Sequence, residues 1–173
     1  MLAFLSRYAD WLHLQWPSGD VSTLPRVDDH YRTNVAGVYV VGDLAGVPLL
    51  KFSLDSGTKA VRHIAETQPT PSSTHDDADY DVVILGAGAS GMAAAREAEA
   101  QGLSYVVLEA NERFATIKDF QAGKPIYTYP ESMTPAGSVQ VSAPVKEELV
   151  DELTAQTDDI PVRDVEAHRI ERE

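Results

Sequence analysis

The sequence predicts an α/β fold in which a parallel sheet is flanked by helices. Two observations indicate this: short β-branched runs that are typical of buried strands alternate with longer helical patterns, and a glycine-rich turn joins one strand to a helix. The chain has 173 residues, which is enough for one ordinary domain or two small ones. A chain of this size can bury a real hydrophobic core.

Composition excludes several classes of function. The net charge of -13 argues against binding to nucleic acids or anionic membranes, because both would repel the chain. The chain has no cysteine, which removes disulfides, cysteine metal sites and a redox-active C-x-x-C pair. No apolar run reaches about 18 residues, so membrane insertion is not expected. The N-terminus lacks the pattern of a signal peptide, and we therefore expect a cytoplasmic location.

The first part of the chain, residues 1–66, contains two helical patterns around one strand pattern. Residues 2–15 predict an amphipathic helix, either packed on the domain or serving as a membrane or partner anchor. Residues 38–41 (VYVV) predict a buried strand that ends at Gly42-Asp43. Residues 49–66 then place apolar side chains on one side of a helix. Residues 67–79 predict a solvated acidic linker and not a metal site, because flexible carboxylates bind metals poorly.

The second part of the chain, residues 80–173, begins with a predicted βαβ unit. Residues 81–85 and 104–109 are strand patterns, and the alanine-rich residues 89–101 form the helix between them. Such a unit implies parallel strands and a right-handed crossover. We expect residues 111–142 to be irregular, a helix to follow from Pro144, and residues 160–173 to form two short strand pieces.

The turn inside the βαβ unit, GAGASG at residues 86–91, is a dinucleotide-binding fingerprint. Gly86 permits a tight turn, Gly88 lets the backbone approach a pyrophosphate, and Gly91 lets the helix pack close to the strand. Amides at the helix start would face the phosphates. Glu109 ends the next strand, where its carboxylate would accept hydrogen bonds from ribose and repel a 2′-phosphate, which favours FAD or NAD over NADP. The predicted cofactor-binding residues of this part are Gly86, Gly88, Ala89, Ser90, Gly91, Glu109 and Ala110.

The segment TNVAGVYVVGD at residues 33–43, with the loop and helix after it, resembles the second FAD-contacting motif of thioredoxin reductase-like flavoproteins, which have two dinucleotide-binding domains. Asp43 matches the aspartate that holds the ribityl and phosphate region of the flavin. Leu50 and Lys51, at the helix start with Gly42 and Asp43 before them, match residues whose backbone amides face the pyrimidine edge of the flavin ring. The resemblance covers roughly residues 22–66 and 80–173, and residues 116–137 also resemble a bacterial oxidoreductase subgroup.

In that family the glycine fingerprint comes first and the glycine-aspartate motif near the end, whereas here the order is reversed. The resemblance therefore implies a Rossmann-like FAD-binding domain that is circularly permuted and truncated before a nicotinamide domain. Two alternatives stay open: a junction between tandem flavoprotein copies, and halves that complete sites in different chains. We favour permutation within one chain, which predicts that residues 38–41 run parallel to residues 81–85 in one sheet.

The resemblance implies the FAD-binding portion of a flavin-dependent NAD(P)H oxidoreductase that passes electrons to an unknown acceptor, with NAD(P)H bound by a domain that this chain does not contain. The alternative is a non-catalytic nucleotide-binding or interaction module. No catalytic residue and no metal ligand is assigned, and a homodimer is left open. We expect the side chain of Lys51 to be exposed and the rings of Tyr127 and Tyr129 to be packed.

Overall fold

The computed structural model describes residues 23–67 and 79–171. The helix predicted at residues 2–15 and nearly all of the linker predicted at residues 67–79 lie outside the described residues. The described chain has the α/β architecture that the sequence predicts: a three-stranded parallel sheet flanked by helices, consistent with a Rossmann-like FAD-binding domain. Within the described ranges, no helix is both long and apolar enough to span a membrane.

The sheet consists of β1 (Val82–Leu85), β2 (Tyr105–Glu109) and β3 (Val162–Asp164) in the order β1-β2-β3. All neighbouring strands are parallel. Helix α2 (Ala89–Ala100) connects β1 to β2, which confirms the predicted βαβ unit within one or two residues at each boundary. The carboxyl ends of the three strands therefore lie at one edge of the sheet, where α/β folds bind their ligands.

Helix α1 (Leu50–Thr67) packs against α2 along a line of small residues. A Cβ placed on Gly57 would lie 2.1 Å from the backbone oxygen of Ser90 and 3.2 Å from the amide nitrogen of Ala94. Only a residue without a side chain permits this approach, so Gly57 sets the distance between the two helices. The apolar side of α1 that the sequence predicts is also confirmed, since Leu54, Val61 and Ile64 are buried in the core.

Two further helices lie between β2 and β3. The predicted helix after Pro144 is confirmed as α4 (Lys146–Ala155), whose buried Leu149 and Leu153 join the core. The short helix α3 (Ala115–Lys118) lies inside the segment that we expected to be irregular. Of the two strand pieces expected at residues 160–173, the described residues contain only β3.

The prediction that residues 38–41 form a strand parallel to β1 is wrong. Tyr39 makes a single antiparallel bridge to Arg32, and Thr33 donates its amide to the carbonyl of Val38. Local partners in residues 31–33 thus take the hydrogen bonds that a long-range strand partner would have taken, at a smaller cost in loop closure. Val83 and Leu85 on β1 stay 55% and 48% exposed.

Candidate functional site

The glycine fingerprint forms a tight turn between β1 and α2 that two of its glycines require. Gly86 has a φ of +100°, which L side chains rarely adopt. A Cβ on Gly91 would lie only 2.0 Å from the carbonyl oxygen of Gly86. The turn is held at its start by the amide of Gly86, which donates to the carbonyl of Leu108 on β2 at 2.8 Å. The roles predicted for Gly86 and Gly91 agree with this geometry.

The third glycine, Gly88, faces open space. It is exposed, and no atom lies within 4 Å of a Cβ placed on it. The first backbone bond of α2 runs from the amide of Met92 to the carbonyl of Gly88, so the four preceding amides, at residues 88–91, have no acceptor within the described part of the chain. Free amides at a helix start bind anions, and the open space in front of Gly88 leaves room for one.

Glu109 holds its carboxylate beside the same turn. One oxygen accepts from the amide of Ala87 at 2.6 Å, and the other accepts from the amide of Asn111 at 2.9 Å. An ionised carboxylate has about four acceptor positions, so these two bonds orient Glu109 and leave capacity for a ribose hydroxyl. Ala110 follows it in an exposed position.

A cleft of about 240 Å³ lies at the carboxyl ends of β2 and β3. Its lining contains the predicted Glu109 and five residues that sequence reasoning did not select: Asn111, Glu112, Arg113, Val162 and Asp164. Arg113 is fixed there because its guanidinium donates to the carbonyls of Thr157 and Ile160. No pattern along the sequence points to these residues, because α4 and the turn after it separate the two sides of the cleft.

The glycine-aspartate motif lies directly against the fingerprint helix. Gly42 is buried with a φ of +72°, and a Cβ on it would lie 2.6 Å from the side-chain oxygen of Ser90. The amide of Gly42 donates to the hydroxyl of Ser56 on α1 at 2.9 Å. Asp43 is exposed, and its carboxylate accepts from the hydroxyl of Ser53 at 2.8 Å. The structure therefore brings the two predicted motifs together within a single chain.

The start of α1 also carries free amides. The first backbone bond into this helix runs from the amide of Ser53 to the carbonyl of Leu49, and the amides of Leu50, Lys51 and Phe52 have no acceptor among the described residues. Gly57, which contacts Ser90, lies seven residues further along α1, or about 10 Å at 1.5 Å per residue. Two sets of free amides are thus offset by roughly that length, and Asp43 precedes the set at the start of α1 by seven residues.

The expectation that the side chain of Lys51 is exposed is wrong, because only 8% of this residue is accessible. Its ammonium donates to the carbonyl of Pro130 at 2.9 Å and to that of Met133 at 2.7 Å. Lys51 therefore fixes the loop around Pro130 to the start of α1. Because the ammonium of Lys51 is already paired with these carbonyls, the group of Lys51 that can contact a ligand is its backbone amide.

The same face of α1 continues to hold the chain after Met133. Asp55 accepts from the amide of Ala136 at 3.0 Å, and Arg62 donates to the carbonyl of Ala136 at 2.9 Å. A Cβ on Gly137 would lie 2.3 Å from the hydroxyl of Thr58. Lys51, Asp55, Thr58 and Arg62 recur about once per turn, so one polar stripe on α1 fixes residues 130–137 along its length.

Residues 81–123 match the family model described as FAD binding domain. No curated protein and no solved structure matches the chain. The match supports a flavoprotein FAD-binding domain. The matched residues cover β1, α2, β2 and α3, and they also contain the fingerprint, Glu109 and Arg113. The residues present fit FAD on the evidence of the structure, since Gly88 opens a space in front of four free amides where a pyrophosphate can be held.

Proposed function

We propose that this chain is the FAD-binding portion of a flavin-dependent NAD(P)H oxidoreductase of the thioredoxin reductase-like type, which passes electrons to an acceptor still to be identified. The contact between Gly42 and Ser90 is the observation that carries the proposal. It joins the glycine-aspartate motif to the fingerprint helix, so that both ends of one extended dinucleotide can be held by one chain.

Each predicted residue has a distinct task in this proposal. The amides of residues 88–91 hold the pyrophosphate, with the dipole of α2 favouring its charge. The carboxylate of Glu109 accepts from a ribose hydroxyl, and that of Asp43 accepts from the ribityl chain. The amides at the start of α1 stabilise negative charge at the pyrimidine edge of the ring. FAD, when bound, supplies the redox chemistry, and the protein supplies position and electrostatics.

We further propose that the domain is circularly permuted and assembles within one chain through the packing of α1 on α2, since residues 38–41 pair locally and do not join β1. The polar stripe on α1, from the part of the chain before the linker, binds residues 130–137 from the part after it. This supports assembly within one chain over halves that act in different chains. In this proposal NAD(P)H is bound by a separate nicotinamide domain.

The absorption spectrum of the purified chain with added FAD tests the proposal. We expect a bound flavin spectrum that dithionite bleaches and NADH does not. Gly88→Val should abolish FAD binding, because its Cβ enters open space and the branched side chain then occupies the room for the pyrophosphate. Ala100→Val, at the other, exposed end of α2, is the matched control and should bind FAD normally.

The outcomes separate the two functions that the sequence left open. A folded chain that binds no FAD would exclude the flavoprotein proposal and leave the non-catalytic module. Equal FAD affinity in Gly88→Val and in the parent chain would contradict the assignment of the pyrophosphate site. Bleaching of the flavin by NADH would exclude a reductant site that lies only outside this chain.

A further inference from the structure

Two tyrosines form an exposed aromatic surface on the loop before Pro130. Tyr127 is 70% exposed and Tyr129 is 52% exposed, against the expectation that both rings are packed. Their rings are parallel within 9°, with centroids 6.0 Å apart. Large aromatic side chains gain most when they are buried, so a parallel pair that faces solvent is suited to receiving another flat ring.

The position of this surface follows from Lys51. The ammonium of Lys51 donates to the carbonyls of Pro130 and Met133, which lie one and four residues after Tyr129. Lys51 is the second residue of α1, and its amide is one of the three free amides at that helix start. The tyrosines are therefore fixed near the start of α1, the end of the proposed site that holds the flavin ring.

The surroundings of the tyrosines also suit an uncharged flat ring. A shallow cleft of about 170 Å³ is lined by Ile126, Tyr127, Thr128, Tyr129 and Glu131, with a single charged residue among them. On the other side in sequence, the segment that leads into α1 exposes Leu44 and Val47 at 60% and 46%. Apolar and aromatic surface is thus exposed on both chain segments that adjoin the free amides of α1.

We propose that Tyr127 and Tyr129 form the surface on which the isoalloxazine ring of FAD stacks. This inference rests on the proposed function, and it adds residues that neither the glycine fingerprint nor the glycine-aspartate motif contains. In this proposal the amides of α1 contact the edge of the ring and fix its position within its own plane. The tyrosines contact its face and fix the orientation of that plane.

Flavin fluorescence tests the proposal, because a phenol ring in contact with the isoalloxazine quenches the emission by donating an electron to the excited flavin. The parent chain should quench most of the emission of FAD on binding. The double variant Tyr127→Leu and Tyr129→Leu should still bind FAD through the pyrophosphate site, with an affinity up to about tenfold lower, and its bound FAD should recover emission.

Two matched variants make the result specific. Tyr127→Phe with Tyr129→Phe keeps the flat rings, so FAD affinity should be retained while quenching is weakened. Tyr80→Leu removes a tyrosine that precedes β1 at the opposite edge of the sheet, and it should change neither affinity nor quenching.

The failures of the two proposals can be told apart. If the parent chain and the leucine variant bind FAD with equal affinity and equal quenching, the stacking proposal is overturned and the FAD-binding function stands. If the parent chain is folded but binds no FAD, the proposed function fails and the stacking proposal fails with it. An aromatic pair that instead binds a protein partner would give the first of these outcomes.

Discussion

Helices α1 and α2 pack against each other, but they bury different types of side chain. Helix α2 buries Met92 and a series of alanines, with Glu97 as its one buried charged residue. Helix α1 buries Lys51, Asp55 and Thr58 on the face that holds residues 130–137. One helix is placed by the small size of its side chains and the other by the pairing of its polar groups.

The difference shows two ways of fixing a ligand site. Small residues let α2 approach α1 and β1 closely, and the one buried charge of α2, Glu97, is paired with Arg62 of α1. Buried polar groups on α1 are favourable only while each is paired, because an unpaired buried group costs about 1–3 kcal/mol. The polar groups of α1 therefore stabilise one arrangement of the loop that carries Tyr127 and Tyr129. The small residues of α2 instead set its distance from α1.

Gly57→Ala should have the largest effect on the free energy of unfolding, and it tests whether a short distance fixes the contact between α1 and α2. The new Cβ would lie 2.1 Å from the backbone oxygen of Ser90, and backbone atoms cannot move aside without separating the helices. We expect a net loss of about 3 kcal/mol in the free energy of unfolding, which already includes a gain of about 1 kcal/mol from the higher helix propensity of alanine. Urea denaturation of both proteins measures the difference.

Gly88→Ala is the matched control for this prediction, because its Cβ meets no atom within 4 Å and its φ is -78°. We expect its stability to equal that of the parent chain within about 0.5 kcal/mol. Equal stability of Gly57→Ala and Gly88→Ala would show that distance does not fix the contact between α1 and α2.

The sequence predicted the structure around the start of α2 better than the structure around the start of α1. The turn at Gly86 and the close contacts at Gly91 depend on a few neighbouring residues, so a local pattern contains the information. The burial of Lys51 depends on carbonyls about eighty residues away, and nothing next to Lys51 in the sequence indicates them. The prediction for residues 38–41 was wrong for a related reason. A β-branched run can pair with any available strand edge, and residues 31–33 are closer in sequence than β1.

Lys51→Met should give the next largest effect, and it tests the polar side of the comparison. Methionine keeps much of the length of lysine but leaves the carbonyls of Pro130 and Met133 without their donor. We expect a loss of about 2 kcal/mol in the free energy of unfolding, and faster proteolysis within residues 126–133. Lys118→Met, which removes a surface ion pair with Glu112, should cost less than about 1 kcal/mol. An equal loss in both variants would show that the burial of Lys51 adds nothing.

The smallest effect concerns Lys59, the exposed cation of the same helix, whose ammonium lies 2.6 Å from the carboxylate of Asp55. The hydrogen bond with Asp55 raises the pKa of Lys59 above its ordinary value of 10.5. Because the pKa is higher in the folded chain, the stability from this pair is complete below pH 10.5 and is lost as the pH rises through the folded-state pKa. The side chain of Lys59 is 52% exposed, so solvent screening keeps the contribution below about 1 kcal/mol.

Comparing the parent chain with Lys59→Met between about pH 8 and about pH 12 isolates this pair from the other groups that titrate there. The difference in the free energy of unfolding should be constant at the lower values and should shrink at the higher ones. In an Asp55→Asn background the same comparison should lose most of its pH dependence, because the amide carries no charge. A difference that persists unchanged above the folded-state pKa would mean that Lys59 acts through its aliphatic stem. The polar stripe would then depend on its buried members, Lys51 and Asp55, and on their backbone partners alone.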